Sequence, residues 1–205
     1  MADQNSFSTT LAADAARVTE LAAIASYAQI GRGDEKHADQ LAVDAMRTAL
    51  NALDIDGKIV IGEGERDEAP MLYIGEKVGT GKGPAIDIAL DPLEGTTLTA
   101  KAMANALTVL SMSASGGMLH APDTYMDKIA IGPGYAPGTV DLDMSPQENV
   151  RSLASAKGVD PRDLTVCVMD RPRHDKLIAA LREVGARVMM ITDGDVAGVI
   201  ATTDE

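Results

Sequence analysis

The segment Asp91-Pro92-Leu93-Glu94-Gly95-Thr96 constrains this chain more than any other. It follows an alternating run, Ala85-Ile86-Asp87-Ile88-Ala89-Leu90, which predicts a strand with one buried face. It opens a helical pattern from Thr97 to Ala104. A strand, a tight acidic turn and a helix in that order predict an α/β fold with layered sheets and helices. Acids at a strand end offer hard oxygen donors suited to Mg²⁺ or Mn²⁺. The backbone N–H groups of Gly95 and Thr96, at the start of a helix, can face a phosphate. A cation site and a phosphate site in one turn point to phosphate-ester chemistry.

The bulk properties narrow the reading. The 205 residues include 31 acids against 18 Lys and Arg, a net charge of −13. Sequence-independent nucleic-acid binding needs a basic face, so nucleic acid is excluded as a partner. One Phe and four Tyr are too few for base-stacking platforms. Such a negative chain would repel a phosphorylated substrate unless cations at the site reverse the local field. Cys167 is the single cysteine, which rules out an internal disulfide, and it sits in a strand-like run where a small core residue is expected. No apolar stretch is long enough to span a membrane, and the N-terminus carries no secretory pattern. A cytoplasmic location is expected.

Periodicity predicts a helix from Leu11 to Ile30, stopped by Gly31-Arg32-Gly33-Asp34, and a second amphipathic helix from His37 to Leu53. Ile59-Val60-Ile61 reads as a short strand ending in Gly62-Glu63-Gly64-Glu65. Ala106–Ser113 and Met126–Ile131 read as further strands, and Gly79-Thr80-Gly81-Lys82-Gly83 as a hairpin turn rather than a phosphate loop. The turn-rich stretch Gly132–Gly138 suggests a first domain of residues 1–139 and a second, 140–205. The second begins with a capping box, Ser145-Pro146-Gln147-Glu148, on a helix ending at Gly158. It continues as a strand (Leu164–Met169), a helix (Pro172–Val184) and a strand (Arg187–Ile191), which predicts a parallel pair. The run Val196–Ala201 would make a helix of about two turns with nothing to pack against it, so an incomplete α/β region is expected.

Acids gather at element ends in four glycine-rich places: Asp34 with Asp39, Glu63 with Glu65 and Asp67, Asp91 with Glu94, and Asp193 with Asp195. One such loop is ordinarily a solvated turn. Four of them suit a site that draws carboxylates from separate segments onto two or three divalent ions. Asp67 or Thr96 could then orient or deprotonate a water, and the residues alone do not separate those roles.

These residues resemble the bacterial class II fructose-1,6-bisphosphatases. The resemblance rests on Gly62-Glu63-Gly64-Glu65-Arg66-Asp67-Glu68-Ala69-Pro70-Met71-Leu72-Tyr73-Ile74-Gly75, on Asp91–Thr96 and on Ala121-Pro122-Asp123-Thr124-Tyr125-Met126. It continues through Arg171-Pro172-Arg173-His174-Asp175 and Asp193-Gly194-Asp195 and covers the chain from Arg17 onward. The Asp91–Thr96 turn is broader, shared with the lithium-sensitive phosphatases that include inositol monophosphatases. The resemblance implies hydrolysis of the 1-phosphate of fructose 1,6-bisphosphate with Mn²⁺ or Mg²⁺, in gluconeogenesis. Sedoheptulose 1,7-bisphosphate is a further substrate in photosynthetic bacteria. It implies that Asp39 and Glu63 hold one metal, that Asp91 and Glu94 hold another, and that Asp67 and Thr96 serve the attacking water. Glu94, Gly95, Thr96 and Tyr125 would contact substrate. Arg171, Pro172 and Arg173 would grip the distant phosphate, and Asp193, Gly194 and Asp195 the sugar hydroxyls. A homo-oligomer is expected.

Two departures stand out. The family often has lysine directly after the Gly-Arg-Gly-Asp turn, where this chain has Glu35 and then Lys36. Family chains also continue past residue 205 into a glycine-rich segment whose glutamate completes the metal site. The competing functions are therefore an inositol- or nucleotide-monophosphate phosphatase, which shares the Asp91 turn, and a catalytically silent subunit. Taken singly, His174 reads as a helix-cap residue, His37 and His120 as surface groups, and Met46, Met103, Met112 and Met169 as core fillers. Asp87, mid-strand, is expected either to face into the site or to pair with a buried cation.

Overall fold

The computed structural model describes residues 9–64, 71–119 and 124–203. The chain divides into two compact units, Met1–Thr124 and Tyr125–Glu205.

The first unit packs two helices, α1 (Thr9–Tyr27) and α2 (Glu35–Asn51), against a four-stranded sheet. The strands are β1 (Asp56–Ile61), β2 (Lys77–Val78), β3 (Ala85–Glu94) and β4 (Leu107–Ala114), in the order β2-β1-β3-β4. β1 and β3 run parallel, and both outer pairings are antiparallel. Asp34 starts α2 by accepting a hydrogen bond from the His37 backbone N–H at 3.0 Å. One face of α2 (Ala38, Ala42, Met46, Leu50) is buried against Ile59, Ile86 and Ile88 of the sheet. Each large apolar side chain buried there contributes about 1.5–3 kcal/mol, so this seam is the anchor of the unit.

The segment predicted to turn at Asp91 behaves differently. β3 continues through Pro92 and Leu93 to Glu94, and the helix that follows, α3 (Thr96–Ala100), is one turn rather than a run to Ala104. Pairing with β4 shifts between Asp91, opposite Val109, and Glu94, opposite Leu107. One extra residue on β3 is a β-bulge, the position where a strand tolerates proline. Three other expectations also change. The Gly79–Gly83 segment is not a hairpin, because it joins β2 to β3, which are separated by β1. It is instead tied to the end of the α2–β1 connection by Thr80 N–H to Leu53 O and Gly81 N–H to Ile55 O. Met103 is not a core filler but stands 47% exposed beyond the short α3. Asp87 is buried and accepts from the Gly116 N–H at 2.6 Å and the Ser115 hydroxyl at 3.3 Å, so it braces the turn after β4.

The second unit contains α4 (Pro146–Lys157), β5 (Thr165–Met169), α5 (Asp175–Glu183), β6 (Arg187–Ile191) and α6 (Asp195–Ile200). The capping box at Ser145 and Glu148 is formed, and α4 ends at Gly158 as predicted. β5 and β6 pair in parallel. Val150, Ala154, Ile178 and Leu181 of α4 and α5 pack with Leu164 and Val168 in a second, smaller core. The predicted helix from Pro172 begins as a 3₁₀ turn, Pro172–His174, before α5 proper. His174 makes no cap bond with its side chain; its ring Nδ1 lies 2.8 Å from the Met169 carbonyl. α6 does find a surface to pack on, since a Cβ on Gly198 would lie 3.1 Å from the Cys167 sulfur. Cys167 is half-buried, and burial pushes its thiol pKa up. Residues Met126–Ile131 form no strand: they are largely exposed and pair with no strand among the described residues. Strand-like composition alone does not make a strand where no sheet edge is offered.

Candidate functional site

In the first unit the carboxylates are delivered by the backbone. β1 and β3 are parallel neighbours, so their carboxyl ends lie at the same edge of the sheet, the place where open α/β sheets bind ligands. Glu63 follows the end of β1, and Asp91 and Glu94 lie at the end of β3. Residues three apart on a regular strand point to opposite faces. The bulge removes that obstacle: Asp91 pairs with Val109 and Glu94 with Leu107, two residues apart on β4, which places both acids on one face. Asp91 Oδ1 also accepts from the Leu93 N–H at 3.0 Å, which stabilises the bulged backbone.

Glu63 is fixed from below by a backbone clasp. Its N–H donates to Leu72 O at 3.0 Å, and the Ile74 N–H returns a bond to Gly64 O at 3.0 Å. A Cβ on Gly62 would lie 2.2 Å from that same Leu72 oxygen, so only glycine fits there. Leu72 is fully buried with φ 56°, a left-handed conformation that is strained for leucine. Glu76, buried, completes the clasp by accepting from Arg47 Nε at 2.8 Å and from the Tyr73 N–H at 3.3 Å. Leu72 and Glu76 were not singled out as positioning residues from the sequence. The role of Leu72 lies in its main chain and leaves no side-chain signal, whereas an acid directly after Gly75 was a weak one.

Asp39 rides on the first turns of α2. The turn before that helix is bonded to α3 through Gly31 N–H to Thr99 O (2.9 Å) and Gly33 N–H to Ala100 O (3.0 Å). Helix α2 and the end of β3 are thereby held in register. The electrostatics show the convergence. Burial raises the Asp39 carboxyl above its ordinary range. Burial, followed by the charges of Asp39 and Asp91, raises Glu63 to about 7. Three acids from three segments thus share one field, and hard oxygen donors repelling one another suit a divalent cation. Among the described residues no three such side chains close into a metal cage. Thr96 begins α3, half-buried, directly after Gly95, whose φ of 88° sets the angle between strand and helix. Asp67, Glu65 and His120 lie outside the described residues.

The second unit gathers the remaining predicted residues at the carboxyl ends of its own parallel pair. Asp170 N–H bonds to Ile191 O at 2.7 Å, bringing the loop after β5 beside the end of β6. Arg171 Nη2 donates to Asp193 Oδ1 at 3.3 Å. The Arg173 guanidinium carbon lies 4.5 Å from the centre of the Tyr125 ring. Pro172 opens the 3₁₀ turn between the two arginines. Gly194 caps the N-terminus of α6, and Asp195 is its first residue.

The family profile described as bacterial fructose-1,6-bisphosphatase, glpX-encoded, matches residues 9–205. The chain is 56% identical over 192 residues to fructose-1,6-bisphosphatase 1 class 2 of Escherichia coli, covering 94% of this chain and 57% of that protein. It is 53% identical over 184 residues to D-fructose 1,6-bisphosphatase class 2/sedoheptulose 1,7-bisphosphatase of a Synechococcus species, covering 90% and 55%. Against fructose-1,6-bisphosphatase class 2 of Haemophilus influenzae it is 49% identical over 190 residues, covering 93% and 57%. The chain therefore spans a little over half the length of these relatives. On the profile match over residues 9–205 and on identities at this level, the chain belongs to the bacterial, glpX-encoded fructose-1,6-bisphosphatase family.

Proposed function

We propose that this chain is a metal-dependent phosphoric monoester hydrolase that removes the 1-phosphate of fructose 1,6-bisphosphate, in gluconeogenesis in the cytoplasm. Sedoheptulose 1,7-bisphosphate is its second substrate. The observation that carries the reading is the carboxylate corner: Asp39, Glu63 and Asp91 share one field, and the bulge turns Glu94 to the face of Asp91. The donors fit Mn²⁺ or Mg²⁺, with Asp39 and Glu63 holding one ion and Asp91 and Glu94 another. A cation bound there supplies charge neutralisation at the phosphoryl oxygens and a more acidic water. The chain's own groups do the rest. Asp67 and Thr96 together serve the attacking water, orienting it and accepting its proton. Glu94, Gly95, Thr96 and Tyr125 contact the substrate, Arg171–Arg173 hold its far phosphate, and Asp193–Asp195 accept hydrogen bonds from sugar hydroxyls. The functional protein is a homo-oligomer, which light scattering checks.

The test is phosphate release from fructose 1,6-bisphosphate with and without Mn²⁺ or Mg²⁺, with Asp91→Ala as control. The reading expects release that needs metal and falls by at least about 10²-fold in the variant. Faster release from an inositol or nucleotide monophosphate would move the assignment to that class. No release from protein shown folded by circular dichroism would replace the enzyme reading with that of a silent subunit.

A further inference from the structure

Glu76 is a buried acid that none of the proposed chemistry uses, and both of its oxygens are engaged. Oε1 accepts from Arg47 Nε of α2 at 2.8 Å, and Oε2 accepts from the Tyr73 N–H at 3.3 Å. Its main chain is tied as well. The Ile59 N–H donates to Glu76 O at 2.9 Å, and the Gly75 N–H to Ile59 O at 2.8 Å. Tyr73 follows Leu72, whose carbonyl receives the Glu63 N–H and whose left-handed φ must be held by its surroundings. Arg47 stands about 12 Å along α2 from Asp39, and both lie half-buried beside the buried face of that helix. One ion pair thus links the helix that carries Asp39 to the turn that clasps Glu63.

We infer that Arg47 and Glu76 are positioning residues for the carboxylate corner: their ion pair is a strut that sets Asp39 against Glu63. The inference rests on the metal-binding role proposed above for those two acids and adds what fixes the spacing between them. Apolar contact is non-directional, so the seam beneath α2 holds the helix to the sheet without fixing where along it the helix sits. A charge-assisted hydrogen bond is directional and supplies that register. The pair is a poor source of stability in itself, because the arginine side chain is 43% exposed and the glutamate only 7%. Water screens the attraction, while the carboxylate has given up its hydration. Its value is therefore geometric.

The test uses the whole chain and two readouts: hydrogen exchange at the Glu63 and Ile74 amides without metal, and calorimetric titration with Mn²⁺. Arg47→Met keeps the aliphatic stem and removes the charge. It is expected to lower protection at both clasp amides and to weaken Mn²⁺ binding about tenfold, the low end for residues that stand behind metal ligands. Arg47→Lys, which leaves a cation on Glu76, should lose less. The double variant Arg47→Met, Glu76→Leu separates geometry from stability. It removes the unpaired buried charge, so stability to denaturant should return while protection and Mn²⁺ affinity stay low. Asn51→Ala is the control. It cuts the bond from the Gly79 N–H (3.3 Å) at the far end of α2 and should change neither readout. The inference is overturned if Mn²⁺ affinity returns with stability in the double variant, because the pair would then be only a prop. Unchanged clasp protection in Arg47→Met, or an equal loss in Asn51→Ala, overturns it as well. An unaltered chain that takes up no Mn²⁺ would overturn the metal reading instead, and the exchange measurement would still decide the strut.

Discussion

The charged corner of residues 1–124 and that of residues 125–205 both stand at the carboxyl ends of a parallel strand pair, yet they are built by opposite means. In the first, backbone delivers the charges: a bulge turns Glu94, a carbonyl clasps Glu63, and glycine leaves the space. In the second, side chains hold side chains: Asp193 holds Arg171 and Tyr125 holds Arg173. The difference follows from burial. Like charges brought together away from water repel and lose hydration, so only a rigid main chain over a well-filled core can impose their proximity. Cations that meet an anion in water need no such force, and a stacked ring or a single ion pair suffices to aim them.

The sharpest way to break this comparison is to weaken each core separately. Met46→Ala, at a fully buried position in the core of the first unit, is expected to cost about 2–5 kcal/mol. Leu181→Ala should fall at the lower end of that range, because the second core is smaller and can collapse more readily. Calorimetry should show Met46→Ala weakening metal binding and Leu181→Ala leaving it in place. Equal loss of metal binding in both would deny that the corners have separate supports.

Gly62→Ala tests the clasp. Its new Cβ meets a backbone oxygen that cannot swing away, so an overpacking cost of about 1–3 kcal/mol is expected by chemical denaturation. Metal affinity should fall as Glu63 shifts. An unchanged metal affinity would show that the clasp does not aim Glu63.

A pH experiment sharpens the electrostatic side. Glu63 titrates at about 7 in the folded chain against 4.5 when unfolded. Between those values the folded state holds the proton that the unfolded state has lost. Metal-free protein is therefore most stable below pH 4.5 with respect to this group, and that stability is lost as pH rises through 7. The expected fall in melting temperature is on the order of a few degrees, discounted for partial solvent exposure. Glu63→Gln should abolish it, and saturating Mn²⁺ should reverse its sign. A melting temperature flat across this window would remove the convergence of the three acids.

The smallest effect belongs to a feature outside either corner. Ser145→Ala removes the side chain that accepts from the Glu148 N–H at 3.2 Å, and about 1 kcal/mol of stability should go with it. A loss much larger than this, seen in thermal melts, would mean that α4 carries the second unit more heavily than its packing suggests.

Much of this was legible without coordinates. Helices α1, α2 and α4 and the β5-α5-β6 unit announce themselves through periodicity and caps, which are properties of neighbouring residues. The acids at the element ends were legible as a set, and the family pattern was readable from the glutamate motif and the acidic turn. What was not legible depends on partners distant in sequence. Pro92 argues for a stop when read alone, and only β4 alongside makes it a bulge in a continuing strand. Met126–Ile131 has strand composition, but a strand exists only where an edge receives it.

The sequence by itself determined the α/β class, the supply of hard oxygen donors, the arginine pair and the family, because these reside in residue types and short spacings. Tertiary structure alone decided which acids feel one another, why Glu63 holds its proton to about pH 7, and which side chain holds each arginine. Those outcomes depend on distance and burial in three dimensions, where electrostatic interactions between residues remote in the chain are set.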